Sequence, residues 1–261
     1  MRIDIISSVP DLLASPLNES ILKRAQEKGL VEIVVHNLHD YAHDRRKTTD
    51  DYPFGGEAGM VMKCEPVFEL VEKLQGERTY DEIIYTSPDG VRYDQHEANR
   101  LSTLGNIVIL CGHYKGIDHR IREHLITREI SIGDYVLTGG ELPAMCVVDA
   151  VSRLVPGVLG DEVCFTDESH WDGLLEYPQY SRPEEWHGLT VPEVLLSGNH
   201  EKVDRWRKKQ AILRTMELRP DMFQKLRFPY KTRAERKFIA ELEAENEQFR
   251  SRDPKNLDYR K

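Results

Sequence analysis

Three short polar loops carry residue types that could build a pocket for a nucleoside-like ligand. They read TSPDG over 86–90, CGHYKG over 111–116 and IGDYVLTGG over 132–140. Each follows a short apolar segment, and its glycines let backbone amides and carbonyls reach the edge of a base without intervening side chains. Such a pocket suits an adenine, although glycine-rich turns alone occur for many other reasons.

The walls of this predicted pocket and the motifs that are missing limit the ligand further. Leu137, Pro143 and Tyr114 could form apolar walls, but each would serve equally in an ordinary hydrophobic core. The sequence has no GxGxxG after an early strand and no GxxxxGKS or GxxxxGKT, so neither the dinucleotide loop nor the Walker loop is present. It also lacks GxSxG and HExxH, the signatures of two large hydrolase classes.

The elements that must position these loops alternate between short apolar strands and helices. We predict strands over 2–7, 31–35, 82–86, 107–110 and 129–132. We predict helices over 11–28, 65–74, 94–104 and 143–154. This alternation indicates an α/β domain with a mostly parallel sheet, in which ligands bind beyond the carboxyl ends of the strands. The three loops should therefore converge.

Length and composition restrict the compartment and the number of domains. The chain has 261 residues, of which 39% are hydrophobic, enough for one substantial core and a smaller second one. No segment approaches the roughly 18 apolar residues of a membrane span, and the start carries no secretion signal. The four cysteines are too far apart for a CxxC pair, which is typical of reduced thiols. We therefore expect a cytoplasmic protein without membrane contact.

The charge distribution separates an acidic body from a basic tail. We predict a first domain over 1–160, an acidic linker over 161–172 and a small, mostly helical domain over 173–261. From Glu201 to Ile239 the chain has 13 Lys or Arg against 5 Asp or Glu, although its net charge is -9. Clustered cations of this kind fit a nucleic-acid backbone. They are equally compatible with a solvated helix face.

Several long motifs, taken in order, carry a resemblance to a known family. The segments IGDYVLTGGELPAMCVVDAVSRLVPGVLG and GLLEYPQYSRPEEWHGLTVPEVLLSGNHEKVDRWRKKQ resemble the TrmD type of tRNA (guanine-N(1)-)-methyltransferase in the SPOUT superfamily. DDYPFGGEAGMVMK and VILCGHYKGIDHR support the similarity, which extends over nearly the whole chain. The resemblance implies a parallel sheet with a deep trefoil knot, a rare exception to the rule that chain connections are not threaded.

The resemblance also implies a cofactor and the residues that hold it. In the family, the three loops wrap a bent S-adenosylmethionine molecule within the knot. On this sequence that placement corresponds to Tyr85, Thr86, Ser87, Pro88, Gly112, Tyr114, Gly116, Ile132, Gly133, Asp134, Tyr135, Val136, Leu137, Gly139, Gly140 and Pro143.

The implied reaction is methyl transfer to ring nitrogen 1 of the guanosine immediately 3′ of the anticodon. This nitrogen bears a hydrogen, so a base must remove the proton while negative charge builds on the neighbouring 6-oxo oxygen. The family's arginine for that charge falls on Arg153. Its aspartate base falls on Glu168, but Asp167 precedes it, so either acid could act. Without the resemblance, these groups read as a helix-end cation and ordinary loop acids.

The family further implies partners for the chain. Its members are obligate homodimers in which each active site combines the knot of one subunit with the linker and carboxyl-terminal domain of the other. The implied tRNA-facing residues are Arg45, Arg46, Lys47, Asp50, Asn199, His200, Arg205, Arg207 and Lys208. Similar enzymes are stimulated by magnesium ions (Mg2+), but the sequence contains no dedicated metal constellation.

Two other functions compete with the one that the resemblance implies. A noncatalytic dimeric RNA-binding protein of the same fold should have a broken GGELP loop or lack Arg153, and the sequence shows neither sign. A related methyltransferase acting on ribosomal RNA or on a ribose hydroxyl would not need to deprotonate a base nitrogen. The linker acids and the long basic carboxyl-terminal domain argue against that alternative.

Overall fold

The chain forms two compact units, Met1–Glu162 and Val163–Lys261. The computed structural model describes residues 1–160, 168–170, 173–226, 237, 238, 240–242 and 244. Within these ranges no helix is both long and apolar enough to cross a membrane. The functional division at 1–160, 161–172 and 173–261 stays a prediction.

The first unit is built on a parallel sheet. Strands occur at β1 (Arg2–Ser7), β2 (Glu32–Asn37), β3 (Asp50–Asp51), β4 (Val61–Met62), β5 (Glu82–Arg92), β6 (Asn106–Cys111) and β7 (Arg128–Ser131). Five of them form one sheet in the order β2-β1-β6-β5-β7, and every neighbouring pair is parallel. The predicted α/β class with a central parallel sheet is therefore confirmed, and β5, β6 and β7 end at the same edge.

Side chains alternate between two apolar layers, one on each face of the sheet. Along β6, Ile107 and Ile109 pack into one layer with Ile5 of β1, whereas Val108 and Leu110 pack into the other. The first layer is covered by α1 (Asp11–Leu17), α2 (Ser20–Glu27), α4 (Gln95–Leu101) and α6 (Glu141–Ser152). The second is covered by α3 (Cys64–Glu77) and α5 (His119–His124). Each fully buried Ile or Leu contributes about 1.5 to 3 kcal/mol of transfer free energy, so these layers fix the sheet.

The prediction of a single helix over 11–28 is wrong, because the helix ends at Leu17 and a second one begins at Ser20. Pro16 lies in the last turn of α1 and has no amide hydrogen with which to continue the hydrogen-bond ladder. The Asn18 side chain then donates a 2.7 Å hydrogen bond to the carbonyl of Ala14 and closes the helix end. A second helix, α2, resumes the apolar pattern.

Two elements near the predicted pocket extend further than expected. β5 runs on to Arg92 instead of ending at Thr86, with a register shift against β7 between Thr86 and Val91. The TSPDG segment is thus an irregular part of a strand instead of a free turn. α6 begins at Glu141 and not at Pro143, which places the proline in the first turn, where its missing amide hydrogen is harmless.

The long polar stretch between β2 and α3 contains short ordered pieces. A 3-10 helix spans Leu38–Tyr41, and β3 pairs with β4 in an antiparallel ladder. Between those two strands, Gly55, Gly56 and Gly59 all have positive φ, a backbone conformation that glycine adopts without strain. The stretch is therefore an organised loop.

The second unit contains a hairpin as well as helices. Its elements are β8 (Glu185–Trp186), β9 (Leu189–Thr190), α7 (Glu193–Leu196), α8 (His200–Leu218) and α9 (Pro220–Lys225). The hairpin turn uses His187 and Gly188, both at positive φ, as a two-residue turn requires. Asn199 is the N-cap of α8, and its side chain accepts a 3.1 Å hydrogen bond from the Lys202 amide.

Candidate active site

The loops that follow β6 and β7 meet the irregular TSPDG part of β5, and together they enclose a cavity of about 300 Å³. Of the residues predicted to hold a cofactor, those lining the cavity are Tyr85, Thr86, Ser87, Pro88, Gly112, Tyr114, Gly116, Ile132, Gly133, Tyr135, Val136, Leu137, Gly139, Gly140 and Pro143. Asp134 is exposed and does not belong to the cavity lining. The structure therefore brings nearly the whole predicted set together in one place.

The second and third loops are held against each other by their backbones. The amide of Gly140 donates a 2.7 Å hydrogen bond to the carbonyl of Gly112, and His113 forms an isolated antiparallel bridge with Gly139. A Cβ atom on Gly140 would lie 2.3 Å from Oγ1 of Thr86 and 2.6 Å from the Gly112 nitrogen. Only a glycine allows this approach, since a backbone atom cannot move aside as a side chain can.

Unusual backbone angles concentrate in the same loops. Tyr114 has φ 61°, and the glycines Gly116 and Gly133 have φ 145° and 156°. A tyrosine in the left-handed region is uncommon and costs free energy, which the surrounding structure must offset. Strain of this kind recurs at ligand-binding sites, where a side chain is held in a fixed direction. Here it directs the half-exposed Tyr114 ring toward the cavity.

A buried carboxylate lies beneath the wall of the cavity. Glu141, which begins α6, is 1% exposed, and its Oε1 accepts a 2.7 Å hydrogen bond from Oγ of Ser7. Its Oε2 lies 3.8 Å from Nδ1 of His113, a cavity-lining residue whose ring also stands edge-on to Tyr114. The acid is placed favourably in the first turn of its helix. It thus connects β1, α6 and the loop after β6.

Charged groups form another part of the wall. Nη2 of Arg122 lies 2.6 Å from Oε2 of Glu129 and 3.1 Å from Oδ2 of Asp89, and its guanidinium carbon lies 5.7 Å from the centroid of the Tyr85 ring. Burial raises the pKa of the Tyr85 phenol, which the guanidinium partly opposes. The phenol therefore stays protonated at neutral pH. Burial also raises the pKa of the Cys111 thiol at the end of β6, so this cysteine is not a nucleophile.

The long polar stretch between β2 and α3 contacts the cavity wall at Lys115, which belongs to the loop after β6. The backbone amide of Lys115 donates a 2.9 Å hydrogen bond to the carbonyl of Met60, and its ammonium group pairs with Glu57. The amide of Met62 donates a 3.0 Å hydrogen bond to the carbonyl of Gly116. The loop between β3 and β4 therefore lies beside the cavity wall.

The predicted catalytic residues lie in different units. Arg153 is the C-cap residue of α6 in the first unit. Glu168 belongs to the second unit, next to Ser169, whose Oγ accepts a 2.9 Å hydrogen bond from the Glu176 amide. Asp167 lies outside the described residues. The assignment of these three residues to the reaction stays a prediction.

The predicted RNA-facing residues occupy two surfaces. In the first unit Arg45, Arg46 and Lys47 are exposed and precede the half-buried Asp50 of β3. The remaining predicted residues, all at the start of α8 in the second unit, are Asn199, His200, Arg205, Arg207 and Lys208. Apart from the partly buried Arg207 they are exposed.

Sequence reasoning missed part of the cavity wall. His113, Lys115 and Asp89 lie inside the motifs already quoted, so treating each loop as a unit would have included them. Arg122 is different, because it projects from α5 and reaches the end of β5 only in the folded sheet. No local pattern in the sequence indicates that contact. Among the described residues, no group of three or more His, Cys, Asp or Glu side chains could hold a metal ion.

Comparison with known proteins gives consistent matches. The family model described as tRNA (Guanine-1)-methyltransferase TrmD matches residues 1–225. The tRNA (guanine-N(1)-)-methyltransferase of Porphyromonas gingivalis is 57% identical over 222 residues, which is 85% of this chain and 99% of that protein. Proteins of the same name from Bacteroides fragilis and Chlorobaculum tepidum are each 56% identical over 86% of this chain, and over 100% and 98% of their own lengths.

A parallel sheet with a loop-built cavity beyond the carboxyl ends of its strands defines an α/β protein of the ligand-binding type. The extent and identity of the matches define the family. This chain belongs to the TrmD family of tRNA (guanine-1)-methyltransferases, which confirms the resemblance read from its motifs.

Proposed function

We propose that this chain is an enzyme that transfers a methyl group from S-adenosylmethionine to ring nitrogen 1 of a tRNA guanosine, the one immediately 3′ of the anticodon. The observation that carries the proposal is the loop-built cavity at the ends of β5, β6 and β7. It occurs in a chain that is 57% identical over 85% of its length to a named tRNA (guanine-N(1)-)-methyltransferase.

The chemistry of the cavity fits the methyl donor. Bound S-adenosylmethionine would supply an electrophilic methyl group on its sulfonium centre. The glycine loops offer backbone groups to an adenine edge, and Tyr114, Leu137 and Pro143 offer apolar surface. Charged groups at Asp89 and Arg122 suit the zwitterionic amino-acid end of the donor. The proposed knot is the threading of these same loops.

Deprotonation of the guanine ring is assigned to the linker acids. A carboxylate at Glu168 or Asp167 takes the proton from nitrogen 1. The electron pair left there would form the bond to the methyl carbon while the methyl–sulfur bond of the bound donor breaks and its electron pair stays on sulfur, leaving S-adenosylhomocysteine. The guanidinium of Arg153 stabilises the negative charge that develops on the 6-oxo oxygen. A neutral base nitrogen without these two groups would be a poor nucleophile.

Assembly of this site is proposed to require a homodimer. Arg153 ends α6 in the first unit, whereas Glu168 belongs to the second, and a two-fold dimer can supply one of them from each subunit. The experiment mixes inactive Arg153→Ala subunits with inactive Glu168→Gln subunits. Hybrid dimers contain one intact site and should recover part of the activity. Lack of recovery after verified subunit exchange would contradict sharing between subunits.

Two basic surfaces are proposed to hold the tRNA. Arg45, Arg46 and Lys47 are exposed in the polar stretch before β3, and the cations of α8 form a second group. Phosphate contacts of this kind position the substrate without reading its sequence. We also propose that the enzyme works in the cytoplasm and that magnesium ions support its activity.

The test of the proposed function begins with the donor. Titration calorimetry should detect S-adenosylmethionine binding to the full chain without RNA, with NADH as the control ligand. Donor labelled in its methyl group should then transfer label to unmodified tRNA. Binding of NADH in place of S-adenosylmethionine would exclude the proposal, and RNA binding without label transfer would favour a noncatalytic protein.

A further inference from the structure

The hydrophobic core of the second unit is completed by residues beyond the family match. That match ends at residue 225, and the named relatives are already covered over 98% to 100% of their own lengths. Leu242 is 2% exposed and belongs to the same buried cluster as Ile212 and Met216 of α8. Phe238 packs against this cluster from its edge. Phe238 and Leu242 thus pack against the α8 cluster from a part of the chain that lies beyond the match to these relatives.

The covering residues have the spacing of one helix face. Residues 237, 238, 240–242 and 244 are helical, and Phe238 and Leu242 are four positions apart, so they project from the same side. On α8, Arg205 lies seven positions before Ile212, two helical turns along the same side. The segment therefore meets both an apolar part of α8 and one of its cations.

The contact with that cation is a cation–π contact. The guanidinium carbon of Arg205 lies 5.7 Å from the centroid of the Phe238 ring. Arg207 has a similar arrangement, since its guanidinium carbon lies 5.2 Å from the centroid of the Tyr177 ring. The ring beside Arg207 comes from the family-matched part of the chain, whereas the ring beside Arg205 does not. Each arginine is thus supported by an aromatic face.

We propose that Phe238 is a positioning residue that holds Arg205 for contact with a tRNA phosphate, which deepens the proposed function and rests on it. A guanidinium lying over a ring keeps its N–H donors at its edges, directed away from the ring. Contact with the ring also restricts a long side chain before the RNA binds, so less entropy is lost on binding. The segment that follows residue 225 would then tune tRNA affinity in this enzyme.

The test is a double-mutant cycle in the full chain, measured as tRNA dissociation constants over a range of salt concentrations. Phe238→Leu removes the ring but conserves most of the apolar volume, and Phe238→Tyr keeps the ring. Phe238→Leu should weaken tRNA binding about twofold to fivefold and reduce the salt slope toward that of Arg205→Ala. Phe238→Tyr should restore both. Leu242→Met is the matched control and should change neither.

The double-mutant cycle separates a positioning role of Phe238 from a purely structural one, because the effect of a structural role would not depend on Arg205. In the Arg205→Ala background, Phe238→Leu should have no further effect on affinity or salt slope. An equal effect in both backgrounds, or no effect in the parent chain, would overturn the proposal. Thermal unfolding verifies that each variant is folded, and Phe238→Met replaces any Phe238→Leu chain that is not. If the parent chain itself fails to methylate tRNA, the proposed function fails instead.

Discussion

Oγ of Ser7 donates a 2.7 Å hydrogen bond to Oε1 of Glu141, and this contact joins the end of β1 to the start of α6. Ser7 is 0% exposed and Glu141 is 1% exposed, so water does not replace the bond if it is lost. Because the glycines at 139 and 140 directly precede Glu141, the contact also fixes one wall of the cavity.

Ser7→Ala should therefore destabilise the first unit by about 1 to 3 kcal/mol, the usual cost of leaving a buried polar group short of a partner. Urea unfolding measures this change, and calorimetry should show weaker S-adenosylmethionine binding. Ser8→Ala is the matched control, since the Ser8 hydroxyl is also buried but lies 3.4 Å from Oγ1 of Thr49. A larger effect at Ser8 than at Ser7 would contradict the importance of the Glu141 contact.

Gly140→Ala should abolish measurable donor binding. The added methyl group would lie 2.6 Å from the Gly112 nitrogen and 2.8 Å from the Cys111 Cα, so the two loops must separate. Gly76→Ala is the control, because nothing lies within 4 Å of that position in α3 and alanine favours a helix. The control should bind the donor normally and be slightly more stable. Normal donor binding by Gly140→Ala would mean that the two loops can separate without affecting the donor site.

Stability should fall in acid because of Asp4. Burial of this side chain disfavours its charge, but hydrogen bonds from His36, Arg2 and Tyr80 together hold the pKa of the carboxyl well below its ordinary value. A lowered pKa in the folded state gives stability that is present above about pH 4, the unfolded value, and is lost as the pH falls further.

Asp4→Asn should cost about 3 kcal/mol at pH 7, since it disrupts a buried charged network. Unfolding curves at several pH values measure how this cost changes, and it should shrink as the pH falls below about 4. Asp11→Asn, on the exposed first turn of α1, is the control. A cost for Asp4→Asn that is constant down to the acid limit would rule out the linkage.

The residues of the pocket could be predicted well because short, local patterns in the sequence mark them. Each loop follows a strand and is rich in glycine, and parallel strands bring their carboxyl ends together whatever the details of packing. Asp134 is the exception among the predicted cofactor residues, since it is exposed and lies outside the cavity lining although both of its neighbours belong to it. Backbone geometry within a loop decides side-chain direction, and spacing alone does not encode it.

Contacts between distant elements were less predictable. Helical spacing after Asn199 predicts an apolar side through Val203, Trp206, Gln210, Leu213 and Met216. The structure buries Met216 of this set, together with Ala211, Ile212 and Thr215. Helical periodicity cannot show which side is covered when the covering residues, Phe238 and Leu242 among them, come from a later segment. The same limit applies to Arg122, whose pairing with Asp89 depends on the fold.

The identity of the base should be visible in single-turnover rates. Glu168→Gln should lose methylation about a hundredfold to ten-thousandfold with donor and tRNA binding intact, and Asp167→Asn should be milder. Arg153→Ala should be comparably severe, because it removes the charge that stabilises the oxyanion. If Asp167→Asn is the severe variant, the base is Asp167. Full rates in both acid variants would exclude a carboxylate base from this linker.

The most direct test of the proposed function is the identity and position of the methylated nucleoside. The purified chain is incubated with S-adenosylmethionine and an unmodified tRNA transcript, which is then digested to nucleosides and analysed by mass spectrometry. We predict that the digest contains N1-methylguanosine. We also predict that this product is absent when the guanosine immediately 3′ of the anticodon is replaced by adenosine. A ribose-methylated product, or N1-methylguanosine that persists in the substituted transcript, would contradict the account.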